Sequence, residues 1–115
     1  MTTSKIVTLR NEREYKCIVL ADLHYVRVYD YLSSFHSRNH QKFTCTKSLI
    51  EVVAMLPDNF FRINRNCIVN IHSIDNFKLR NRTVYLSNSV EFIVSCRRIK
   101  QLQIELLRCN LTITG

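Results

Sequence analysis

The densest run of side chains able to recognise an anion or a base edge is Phe60-Phe61-Arg62-Ile63-Asn64-Arg65-Asn66-Cys67-Ile68-Val69-Asn70. Apolar residues anchor both ends, while Arg62, Asn64, Arg65 and Asn66 crowd the middle. An arginine presents a planar fork that fits a phosphate or the O6/N7 edge of guanine, and an asparagine amide can pair with adenine. A short link between two strands would present such groups into a groove. A second cluster, Ser95-Cys96-Arg97-Arg98-Ile99-Lys100, stands at a strand-to-helix junction, where backbone N–H groups are also free for phosphate.

Catalysis requires a different constellation, and none is legible. There is no G-x-S-x-G, no glycine-rich phosphate loop and no pair of carboxylates at useful spacing. His24, His36, His40 and His72 fall in no zinc-ligand spacing with the five cysteines, and no C-x-x-C occurs. The expectation is a protein that is not an enzyme and has no cofactor and no metal. An odd cysteine count and the lack of a secretory signal read as a reduced, cytoplasmic protein whose thiols pack as small hydrophobes. His36 and His40 read as solvated loop residues.

The charge agrees with an anionic partner. The 115 residues carry 17 Lys and Arg against 9 Asp and Glu, a net charge of +8. Residues 1–59 hold 8 basic and 6 acidic side chains, whereas residues 60–115 hold 9 and 3. Both basic clusters lie in the second half. Nucleic acid leads among polyanions, because no basic amphipathic helix suits a membrane surface and no apolar run could span a bilayer.

The elements that would position these clusters are mostly strands. Val, Ile, Thr, Phe and Tyr dominate, and alternation predicts strands at Lys5–Arg10, Tyr15–Leu20, Leu23–Tyr29, Lys42–Cys45, Phe61–Ile63, Cys67–Asn70, Ile74–Leu79, Arg82–Leu86 and Val90–Val94. Residues 30–41 read as irregular. The one Gly is the last residue, so turns are expected at Asn11, Asn39, Asn59, Asn76, Asn81 and Asn88, asparagine being the next most tolerant of positive φ. Ser48-Leu49-Ile50-Glu51 has the capping-box form, and its apolar spacing predicts a two-turn helix stopped by Pro57. Ile99, Leu102 and Leu106 predict a second helix over Arg97–Arg108, with Asn110–Gly115 as a tail or an added strand. Basic residues at a helix start oppose the macrodipole, so their placement there asks for another reason, such as an anionic ligand.

These residues resemble the LytTR DNA-binding domain, an output domain of bacterial two-component response regulators. The family string is an apolar pair, Arg-Ile-His-Arg-Ser, an aromatic and Ile-Val-Asn, against Phe60–Asn70 here. Its closing Val-Ser-Arg-Arg before a helix is matched by Val94-Ser95-Cys96-Arg97-Arg98. Its Ser-Leu helix closed by Leu-Pro is matched by Ser48-Leu49 through Leu56-Pro57, and its early strand by Asp22-Leu23-His24-Tyr25-Val26-Arg27. The resemblance implies a mainly β fold over residues 1–115, with a core about 5–104. That fold is an elongated set of several small, mostly antiparallel sheets with a short central helix and a C-terminal helix. It also implies transcription regulation through loops placed in successive major grooves of direct-repeat promoter sites.

Carried over by position, Arg97 and Arg65 are the expected base readers. Asn64 stands where the family has His, and Ser33 is the nearest match for a contact supplied by the Tyr29–Ser34 loop. Arg98, Lys100, Lys47 and Ser95 are expected at phosphates. Arg62 reads as a structural ion pair with Asp58 or Asp75, and Asn70 as a capped turn. The partner is double-stranded DNA, with a second copy on a direct repeat and a regulatory protein in place of the family's receiver domain. The departures at Asn64, Asn66 and Cys67 keep open a protein-interaction module without DNA reading. Tyr25, Tyr29 and Tyr31 would be the stacking residues of a single-strand or RNA binder, but no RNA-recognition motif accompanies them.

Overall fold

A computed structural model describes residues 5–114, with side chains through Cys109. The chain is mostly strands, in several antiparallel sheets with two helices. It falls into two compact units, Met1–Leu56 and Pro57–Gly115.

In the first unit, β1 (Ile6–Arg10) and β2 (Tyr15–Val19) form an antiparallel hairpin. Asn11 builds its turn, the side-chain Oδ1 accepting from the N–H groups of Arg13 and Glu14, both at 2.9 Å. A meander follows: β3 (Leu23–Tyr29), β4 (Leu32–Ser37) and β5 (Gln41–Thr46). Leu23, Val26 and Phe35 are fully buried at its centre. Lys47 and Ser48 then lead into α1 (Leu49–Met55), where both bonds of the capping box form between Ser48 and Glu51. The Ser48 backbone N–H on the Glu51 carboxyl, and then the Ser48 side chain, hold that carboxyl below its usual value. Pro57 forces Leu56 into an extended conformation and ends the helix.

Strand β4 replaces the irregular stretch expected over residues 30–41. Its alternation is hidden because the inward position beside Phe35 is Ser33, while Leu32 points outward at 52% exposure. Polar inside and apolar outside reverses the usual pattern. His36 is accordingly a strand residue and not a solvated loop residue. Its ring stacks on Tyr25 with centroids 4.2 Å apart. Burial, then Lys42 and Arg27, push its pKa down to about 4. His40 does lie exposed in the β4–β5 turn.

In the second unit, β6 (Phe60–Asn64) and β7 (Cys67–Asn70) form a hairpin whose register shifts between Arg62 and Asn64. Every residue of β7 is buried. Asn70 caps the single 3-10 turn that follows, accepting from the His72 N–H and from Asn59 Nδ2, both at 3.0 Å. This is the capped turn read from the sequence. Strands β8 (Ile74–Lys78), β9 (Thr83–Leu86) and β10 (Glu91–Ile93) make a second antiparallel meander. A 3-10 turn at Cys96–Arg98 leads into α2 (Ile99–Thr114), held by the fully buried Leu102 and packed against β6 and the Ile71–Ser73 turn. Asn110–Thr114 continue this helix and add no strand, while Gly115 lies outside the described residues.

Turns form at five of the six expected asparagines, Asn11, Asn39, Asn59, Asn81 and Asn88. Positive φ falls at Asp30, Asn39, His40, Arg82 and Ser89, so Asn39 is the one expected asparagine among them. Asn76 is not a turn residue at all. It lies inside β8, at a register shift between Ile74 and Asn76.

Candidate nucleic-acid interface

Two connections of the second unit carry the basic clusters, and backbone bonding brings them together. The β6–β7 turn is Arg65-Asn66, and the β10–α2 link runs from Val94 through the Cys96–Arg98 turn. The Ser95 N–H donates to the Ile63 carbonyl at 2.8 Å, joining the link to β6. The Val94 N–H donates to the Arg82 carbonyl at 2.7 Å, joining it to the start of β9. Arg82 also donates from Nη1 to Cys96 Sγ at 2.7 Å. The link is therefore fastened on both sides, and its short 3-10 turn is closed by the Arg98 N–H on the Ser95 carbonyl.

Asn64 completes the junction. Its Oδ1 accepts from the Asn66 N–H and its Nδ2 donates to the Ile93 carbonyl, both at 2.9 Å. The amide expected at a base edge is thus already bonded at both of its ends. Arg62 donates from Nε to the Asn64 carbonyl at 3.2 Å.

The guanidinium groups define the electrostatics. Arg65 and Arg97 are exposed, Arg62 and Arg98 are half-buried, and Lys100 is exposed on the first turn of α2. Burial, and then the charges of Arg98, Arg97 and Arg65, weaken proton binding at Arg62. Among the described residues the ion pairs are Arg38–Asp22 and Arg108–Glu105, each at 3.5 Å. The ion pair expected for Arg62 with Asp58 or Asp75 does not form. Four like charges with no ion-paired carboxylate among the described residues cost folding energy, and an external polyanion would offset that cost.

The other expected contacts stand elsewhere in the chain. Ser33 is 0% exposed, and its hydroxyl donates to the Lys47 carbonyl at 2.6 Å. The Tyr29–Ser34 segment is a tight strand-to-strand turn, in which Asp30 takes φ 55° and Ser33 already belongs to β4. A base cannot reach that hydroxyl while β4 and β5 stay paired. Lys47 is half-buried just ahead of the Ser48 cap. Of the thiols, Cys45 and Cys67 are buried, but Cys17 and Cys96 are exposed and do not pack as core hydrophobes. Arg82 holds the β10–α2 link from the β8–β9 turn, and no sequence signal points to it. It lies 14 residues from Cys96, and no spacing rule links a β8–β9 turn to the β10–α2 link.

Residues 5–106 match the LytTr DNA-binding domain family, and the chain belongs to that family. Membership assigns it DNA binding and transcription regulation, in a binding domain rather than a catalytic one. Among solved structures, the chain is similar to the LytTr DNA-binding domain of a methyl-accepting/DNA response regulator from Bacillus cereus. The two share 23% identity at a TM-score of 0.73, over 91% of this chain and 98% of that one. No curated protein matches. Among the described residues no helix is long and apolar enough to cross a membrane.

Proposed function

We propose that residues 1–115 act as one cytoplasmic, sequence-specific double-stranded DNA-binding domain, reading direct-repeat promoter sites through loops in successive major grooves. The observation that carries this reading is the cluster of Arg62 in β6 with Arg65, Arg97 and Arg98 on the two bonded connections, with no carboxylate paired to it among the described residues.

Arg97 and Arg65, the exposed pair, read base edges, each through a guanidinium fork suited to guanine O6 and N7. Arg98, Lys100 and Ser95 take phosphates beside them, and Lys47 takes one from the first unit. These backbone contacts set register and supply the salt-dependent affinity. A second copy occupies the neighbouring repeat, and a regulatory protein partner controls the bound domain.

Titration of Arg97→Ala against a preferred duplex and a scrambled one tests the assignment. An Arg–guanine pair gives about 1–3 kcal/mol of discrimination, so the preferred duplex should lose affinity by roughly 5- to 150-fold and the scrambled one far less. Equal losses on both duplexes would remove Arg97 from base reading.

A further inference from the structure

Asn64 sits at the shifted end of β6, between the two connections that carry the exposed arginines. One planar amide makes two bonds of opposite sense. Its oxygen holds the Asn66 N–H, which closes a tight turn over Arg65. Its nitrogen holds the carbonyl of Ile93, the last residue of β10, three residues before the turn that carries Arg97. The Ser95 N–H to Ile63 carbonyl bond runs beside it, so two bonds tie the connections together, one of them through a side chain.

The chemistry restricts what can stand there. Serine is too short to span both partners. Aspartate accepts but cannot donate to a carbonyl, and it would place an anion among Arg62, Arg65, Arg97 and Arg98. A neutral imidazole, with one donor and one acceptor nitrogen, can supply both bonds.

We propose that Asn64 is a positioning residue that fixes the separation of Arg65 and Arg97, so that the two arginines meet the duplex as one reader. This inference rests on the DNA-reading function above. Base recognition by a guanidinium fork depends on geometry, whereas attraction to phosphate depends mainly on charge. Releasing the amide should therefore reduce discrimination and leave charge-driven binding in place. Asn64 itself touches no base in this account.

The test compares the wild-type chain with Asn64→Ala and Asn64→His in two assays. The first is amide hydrogen exchange of the free proteins over residues 64–67 and 93–98. The second is binding to a preferred and a scrambled duplex across a salt series. In Asn64→Ala, faster exchange is expected in both segments, together with a drop of about tenfold or more in the preferred-to-scrambled affinity ratio. The salt slope should stay unchanged, because no phosphate contact is removed. Asn64→His should restore the ratio. A general loss of fold would instead speed exchange in β7 and weaken both duplexes alike, which would overturn the positioning role. An Asn64→Ala protein that keeps both its exchange pattern and its ratio would also overturn it. If the wild-type chain itself shows no preferred duplex, the DNA-reading function fails and this role falls with it, an outcome the wild-type titration identifies by itself.

Discussion

The backbone N–H of Ser95 donates to the carbonyl of Ile63 across 2.8 Å, and this bond brings a strand end and a helix entry into one site. Ile63 is fully buried, so the bond is anchored on the core side while Arg62 and Asn64 flank it in sequence. Arg97 and Arg98 follow Ser95 by two and three residues. Arg65 and Arg97, 32 residues apart in sequence, thereby share one cationic surface.

That surface should give a measurable counterion signature. Each phosphate neutralised on duplex DNA contributes about −0.9 to the slope of log K against log salt. Arg98→Ala and Lys100→Ala should each make the slope shallower by roughly one, with affinity falling alike on preferred and scrambled duplexes. Fluorescence anisotropy over a salt series reads this. A change in sequence preference without a change in slope would reassign the residue to the bases.

Ser33 should behave as a structural residue. Its buried hydroxyl satisfies the Lys47 carbonyl at 2.6 Å, so Ser33→Ala should cost about 1 kcal/mol in urea unfolding. The ratio of preferred to scrambled binding should stay at its wild-type value, measured well below the unfolding midpoint. A fall in that ratio with stability intact would return Ser33 to the DNA contacts.

His36 should make the fold sensitive to acid. Its pKa is near 4 when folded and 6.5 in the unfolded chain, so the unfolded state binds the extra proton between these values. Stability therefore rises with pH from about 4 to 6.5, is level above 6.5, and is lost as pH falls through that window. Allowing for partial exposure, the loss is about 1–2 kcal/mol. His36→Phe keeps the stacking on Tyr25 and should flatten the difference between urea midpoints at pH 7 and pH 4.5, relative to wild type. An unchanged difference would show that the histidine is not the acid-sensitive group.

Most of the fold was legible because local rules and tertiary structure agree. The β3 strand, Leu23–Tyr29, alternates clearly enough to be read with its observed limits, and Ser48 and Glu51 form the capping box that their spacing announces. β4 was hidden because Ser33 faces inward and Leu32 outward, a reversal made acceptable by the hydrogen bond to the Lys47 carbonyl. Turn positions were legible at Asn11, Asn59, Asn81 and Asn88, but positive φ falls at Asp30, His40, Arg82 and Ser89, where side-chain preference alone would ask for asparagine. At the site, residue types point to Arg65 and Arg97, which stand exposed. Residue types could not reveal that the Asn64 amide donates to the Ile93 carbonyl, nor that Arg62 makes no ion pair with Asp58 or Asp75, because both depend on which distant segments meet.

Reading of sequence in duplex DNA is the property proposed for the arginine cluster. Selection of bound molecules from a random duplex library, by the 115-residue chain alone at moderate salt, tests it most directly. The account predicts enrichment of two similar short elements spaced by about one helical turn, 10–10.5 base pairs, and loss of that enrichment in Arg97→Ala. An unenriched pool despite salt-sensitive binding would contradict it, and would leave the arginine cluster as a surface for a protein partner.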